Sequence, residues 1–290
     1  MVLMCAVSPP ISGVDRTTRP SRMETLRPAA VAGLFYPADA TQLKQLVTTL
    51  LEAAAPQPGT PLPKALIAPH AGYIYSGPIA ASAYASLAAA AERIRRVILL
   101  GPAHHVPVRG LALPDTQGFV PPLGTVPIDA EAAAAIRHLP QVLTSARAHA
   151  AEHSLEVHLP FLQRILKNFT LLPLAVGDAT AEEVAEVLNL LWGGPETLIV
   201  VSSDLSHYLP YAQARAVDAD TSAAIVALTQ RPIRHEQACG GTPINGLLRA
   251  ARQHGLRPRL LDLRNSGDTA GERERVVGYG AFAFSEGGAA

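Results

Sequence analysis

The strongest constraint on the fold is a set of short, near-continuous apolar runs, each broken off by polar or ionisable residues. KALIAP (64–69), RVILLG (96–101), LLPLAV (171–176) and TLIVVS (197–202) are four of them. An apolar run of this length without alternation reads as a strand covered on both faces, as in a largely parallel sheet packed between helices. Ala- and Leu-rich stretches at 38–54, 78–92, 180–192 and 213–229 read as helices, and VVGYGAFAFSE (276–286) reads as a late strand. Strand–helix alternation predicts an α/β layered fold with a central mixed, largely parallel sheet.

The chain has 290 residues, 48% of them hydrophobic, which is enough to bury a sizeable core. No repeat and no linker divides it, so 26–290 is expected to be one domain. Residues 1–25, aperiodic and rich in Pro, Arg, Ser and Thr, are expected to form a loose tail, with Met23 a candidate natural start. Pro-containing stretches near 55–63 and 114–127 read as loops. Equal numbers of basic and acidic residues, 24 each, give no electrostatic case for nucleic acid or an anionic membrane surface. Two cysteines, Cys5 and Cys239, make no disulfide framework. The opening MVLMCAV is too short for a signal-peptide core, and no window reaches the roughly 20 apolar residues of a membrane span. The expectation is a soluble, cytoplasmic protein.

The polar residues collect where the strands end. KALIAP runs into His70, RVILLG into His104 and His105, TLIVVS into Asp204 and His207, and LLPLAV into Gly177 and Asp178. Open α/β sheets bind ligands beyond the carboxyl ends of their strands, so these groups would share one rim. Asp204-x-x-His207 reads either as a catalytic pair or as a local cap. Cys239 precedes a helix signalled by Thr242 as N-cap, Pro243 in the first turn and Gly255 as the stop. A helix N-terminus favours a thiolate, and Gly240–Gly241 signals a close backbone approach. Two imidazoles and a thiolate could hold a divalent ion with positions left open; Fe(II), Cu(I) and Zn(II) all suit such donors. In AEHSLEVHLPFLQRIL (151–166) the leucines share a helical stripe, and Pro160 must kink that helix or start it. His153 and Glu156 face either the site or solvent. Tyr73 and Tyr75 line the cleft or pack in the core. His138, His149, His235 and His254 are read as solvated, and Gly33 and Tyr36 as a turn and an aromatic anchor.

AGLFYPAD (32–39), LIAPHAGYIYSG (66–77), ILLGPAHHVP (98–107), EHSLEVHLPF (152–161), LPLAVGD (172–178), VVSSDLSHY (200–208) and CGGTPI (239–244) occur in order. Together they resemble the Memo family (AmmeMemoRadiSam system protein B), which is related in fold to the class III extradiol, LigB-like dioxygenases. The resemblance implies metal ligation by His70, His104 and Cys239, with Asp204 and His207 as further site residues. It also implies that His207 acts as acid/base; His105, His153, Glu156 and Tyr73 are, from their own positions, the candidates to surround the ligands or line the cleft. In the related dioxygenases a Glu fills the third ligand position, so the sulfur here departs from the ring-cleaving pattern. Family members in bacteria and archaea accompany AMMECR-type and radical-SAM proteins, which implies a shared pathway.

Three readings of function are open. The first is a non-haem iron (or copper) oxidoreductase acting on a small molecule or peptide, with His207 moving protons and Asp204 setting its tautomer. The second is a zinc-dependent hydrolase with His207 or Glu156 as base. The third is a non-catalytic module that holds a metal or a peptide for a partner. A metal-free Cys239 nucleophile is a lesser variant. No Walker loop or dinucleotide fingerprint is present.

Overall fold

The computed structural model describes residues 25–54 and 60–287. The expected N-terminal tail, with Cys5 and Met23, and most of the 55–63 loop lie outside the described residues. The strands are β1 (Leu26–Pro28), β2 (Pro63–Ala68), β3 (Arg96–Pro102), β4 (Leu111–Leu113), β5 (Gly118–Val120) and β6 (Val126–Pro127). They continue as β7 (Val142–Thr144), β8 (Thr170–Val176), β9 (Thr197–Ser202), β10 (His207–Leu209), β11 (Leu256–Asn265) and β12 (Val276–Glu286).

One large sheet runs β10-β12-β2-β9-β3-β8-β4-β7, with β11 also paired to β12. Its centre, β2-β9-β3-β8, is parallel; β12 joins β2 and β4 joins β8 antiparallel. The architecture is therefore a single α/β domain built on a mixed sheet, as expected. The apolar runs have a direct cause. Alternate residues of each central strand enter two separate cores: Leu66, Val97, Leu99 and Val200 pack on one face, and Ile67, Ile98, Leu100 and Val201 on the other. Both faces must be apolar, so no polar alternation survives.

The predicted helices form at Ala40–Ala53, Tyr73–Ala85, Ala181–Leu190 and Tyr211–Val226. Asp39 caps the first, and Thr180 with Glu183 forms a capping box on the third. Gly33, with φ +82°, closes a turn by donating to the Tyr36 carbonyl at 2.7 Å, which is the turn expected there.

Several expectations need correcting. The helix after Cys239 is Gly241–Gln253 with Gly240 as its N-cap, so Thr242 lies inside the first turn and caps nothing. The stop at Gly255 (φ +65°) holds. The 151–166 stretch is not one helix but the short pieces His153–Glu156 and Leu159–Ile165, and Pro160 starts the second. The 114–127 stretch contains β5 and β6, which join β1 in a small separate sheet. No helix among the described residues is long and apolar enough to cross a membrane.

His149 is also corrected. It is buried, not solvated: Nε2 donates to the Ala112 carbonyl at 2.8 Å, and Nδ1 has no partner. Burial lowers its pKa from the ordinary 6.5 to about 4. Between pH 6.5 and 4 the unfolded chain therefore binds a proton that the folded chain refuses. Stability is full above the unfolded value and is lost as pH falls through that window, by at most about 1.4 kcal/mol per pH unit for this residue. Urea melts of metal-free protein should show this slope, and His149→Asn should flatten it. An unchanged slope would mean that His149 is not protonated only on unfolding.

Candidate metal centre

The register of the central strands builds the site. Ala68 of β2 pairs with Ser202 of β9, and Leu100 of β3 pairs with Val201. His70 and Asp204 each stand two residues beyond the Ala68–Ser202 pair, and His104 stands two beyond the end of β3. Three chain segments thus leave the sheet at one level, and the His70 backbone N–H donates to Asp204 Oδ1 at 2.8 Å. His153 opens the short helix above β3, and Cys239 comes from the turn before Gly241–Gln253. Gly240 makes the close approach that the sequence signalled: a Cβ there would lie 2.5 Å from the Ser202 carbonyl oxygen. His70, His104, His153, Asp204, His207 and Cys239 all line a single cleft of about 1490 Å³.

The imidazoles share one arrangement. Ser202 Oγ gives its only proton to the Ser154 carbonyl at 2.6 Å, so at 2.6 Å it can only accept from His70 Nδ1–H. Glu152 Oε1 accepts from His104 Nδ1–H at 2.9 Å, and the Leu205 carbonyl accepts from His207 Nδ1–H at 2.8 Å. Each Nδ1 is spent on an acceptor, which leaves the lone pair on Nε2 of His70, His104 and His207; at His70 it faces the Cys239 thiol, 3.4 Å away. Metal-ligating histidines are held in this way, by an acceptor at the far nitrogen that fixes tautomer and ring orientation.

The ligand atoms of His70, His104 and His153 lie within 4.8 Å of one another. The His104 and His153 rings stack with centroids 4.7 Å apart. Cys239 Sγ lies 3.4 Å from His70 Nε2. Among the described residues it joins no group of three donors that are all within 4.8 Å of each other. The structure thus adds His153 as a rival for the third ligand position.

Burial sets the electrostatics. It holds His70 well below its ordinary pKa, with His104 and His153 adding to the effect, and it lowers His153 to about 4 and His207 as well. Burial, with the Asp204 carboxylate, pushes the Cys239 thiol up to about 12. The thiolate expected beside a helix N-terminus is therefore not favoured, because desolvation outweighs the dipole. Burial pushes Asp204 up to about 7 against the N–H groups of His70 and Ala71. For Glu152 burial works upward too, but the His104 hydrogen bonds win and hold it near 2.

The remaining expectations divide. The Asp204–His207 hydrogen bond does not form, since β10 pairs with β12 through a bulge at Tyr208 (φ +57°) and His207 turns to the Leu205 carbonyl. Glu156 is buried away from the cleft, bound by Arg27, Tyr36 Oη and the N–H groups of Ala30 and Val31. Tyr73 is a core residue whose hydroxyl donates to the Val157 carbonyl at 2.6 Å, whereas Tyr75 lines the cleft. His105 is exposed beside His153, with ring centroids 5.9 Å apart. Asp178 is exposed and paired with Arg109. His235 is exposed but lines the cleft, and His254 stacks on Trp192. Sequence reading missed Glu152 and Ser202 as orienting groups. A serine closing an apolar strand was the one available signal for Ser202.

Residues 27–283 match the family described as Memo-like protein. The chain is 35% identical over 270 residues to a MEMO1 family protein of Aquifex aeolicus, covering 89% of this chain and 99% of that one. It is 34% identical over 284 residues to a MEMO1 family protein of Sulfolobus acidocaldarius, covering 90% and 100%. The chain belongs to the Memo family. An uncharacterized protein of Escherichia coli K12 has a similar fold, with a TM-score of 0.50 at 15% identity over 76% of this chain and 98% of that one.

Two outcomes are expected. Ser202→Ala keeps every ligand but frees the His70 ring, so the zinc dissociation constant should rise about 10- to 100-fold; an unchanged value would show that Ser202 does not orient the ligand. At about pH 7.5 the Cys239 thiol is protonated while His70 and His153 are not. Zinc titration to saturation in buffers of different ionisation enthalpy should then show wild type releasing about one more proton per chain than Cys239→Ser. Equal release would assign the third position to His153.

Proposed function

We propose that this Memo-family chain binds a divalent transition-metal ion through His70 and His104 and works as a non-haem, iron-dependent oxidoreductase on a small molecule or peptide. Cys239 or His153 completes the ligand set, and Cu or Zn are the alternative ions. The observation that carries this reading is the pinning of Nδ1 on His70, His104 and His207, which puts the lone pair on Nε2 of three histidines that line one cleft. Bound iron would supply electron transfer to oxygen or substrate, chemistry that the side chains lack.

The chain's own residues do the rest. His207 is neutral because burial lowers its pKa, so its Nε2 can take a substrate proton. The Leu205 carbonyl holds the opposite nitrogen and would stabilise the resulting imidazolium. Asp204 fixes the His70 backbone rather than the His207 ring. Phe35, Tyr75 and Tyr208 wall the cleft and would orient a planar or apolar group beside His207. Action in a pathway with AMMECR-type and radical-SAM proteins is part of the proposal.

Anaerobic purification with elemental analysis tests it. Wild type should retain iron, and His70→Ala and His104→Ala should lose it by more than about tenfold. His207→Ala should keep iron yet lose oxygen uptake with a panel of reduced small molecules. Metal content in the two Ala variants equal to wild type would refute the site. Turnover by the zinc form alone, independent of oxygen, would select the hydrolase reading instead.

A further inference from the structure

Beside the first ligand group lies a second. The ligand atoms of His105, Glu152 and His153 also fall within 4.8 Å of one another. Two imidazoles and one carboxylate form a donor set suited to Fe(II), Mn(II) or Zn(II). This set contains the carboxylate that His70, His104 and Cys239 lack.

Glu152 is prepared for such a role. It is 1% exposed, and its carboxylate accepts from the His104 N–H at 2.6 Å, His104 Nδ1 at 2.9 Å and the Ser154 N–H at 2.9 Å. Among the described residues its carboxylate lies within 4.0 Å of imidazole nitrogens and of no Arg or Lys side-chain nitrogen. A buried carboxylate without a cationic side chain is stabilised by a metal ion. His153 Nδ1 lies 3.6 Å from Glu152 Oε1, and His105, on the loop after β3, has its ring centroid 5.9 Å from that of His153 and a ligand atom already within reach of both.

We propose that a second divalent cation binds at His105, Glu152 and His153, next to the ion assigned to His70 and His104. This rests on the proposed function for the first ion only. It also resolves the rivalry for the third ligand. His153 belongs to both groups, so a cation in the second draws His153 away from the first. Cys239, 3.4 Å from His70 Nε2, then completes the first. The choice between His153 and Cys239 becomes a matter of metal loading.

Equilibrium dialysis of the chelator-stripped full chain against Zn²⁺ tests this. Wild type should bind two ions, while His105→Ala and His70→Ala should each bind one. His105 is exposed, so its replacement should leave the circular dichroism spectrum and thermal midpoint of the metal-free chain unchanged. One ion in wild type and the same ion in His105→Ala would overturn the second site while leaving the first intact. One ion, lost in His105→Ala and kept in His70→Ala, would support the His105 group and refute the His70–His104 reading. In wild-type titrations with Co²⁺, the thiolate charge-transfer band should grow mainly with the second equivalent. A band complete after the first would contradict the coupling through His153.

Discussion

The site depends on the in-register parallel pairing of β2, β9 and β3. Ala68 lies opposite Ser202, and Val201 opposite Leu100. Three strands therefore end at the same height, and the residues just beyond them are thrown together without any long loop. The register is enforced from both sides, because successive residues of each strand enter different cores. A slip of one residue would exchange the two sets of side chains and turn Ser202 away from the His70 ring. The orientation of the first ligand is thus a consequence of how the sheet is packed.

The same burial decides the charge state of the cleft. Imidazoles taken out of water lose their affinity for protons, so His70, His153 and His207 stand as neutral bases with lone pairs available. Burial treats the acids oppositely and keeps the Cys239 thiol protonated. Glu152 escapes because His104 and the Ser154 N–H surround it with donors. Neutral imidazole nitrogens at the head of the cleft are free of protons that would compete with a cation, and the thiol gives up its proton only when a cation replaces it.

The central strands and the flanking helices were legible because each apolar run has a single explanation, coverage on both faces. Strands at the margins were not. β11 carries Arg257, Arg259 and Arg264 and has β12 alone as a partner, so its pattern reads as a polar segment. β4, β5 and β7 are three residues long, too short for any period to show. His149 looked like a surface residue and is buried, because the backbone of β4 supplies an acceptor that its local sequence does not announce.

Sequence alone was enough for the layered fold, the family, and the collection of His70, His104, Asp204 and His207 on one rim, each written in an apolar run and the few residues that break it off. Cys239, in a glycine turn before a helix, was joined to them in the sequence only through the family resemblance. The partners that the side chains take were settled by tertiary packing. Glu152 went to His104, Ser202 to His70, Leu205 rather than Asp204 to His207, and His153 came in as a rival to Cys239. Hydrogen-bond acceptors and desolvation act through space over a few ångströms, between residues as distant in the chain as His70 and Ser202, 132 positions apart. No spacing along the chain encodes those distances until the sheet has fixed them.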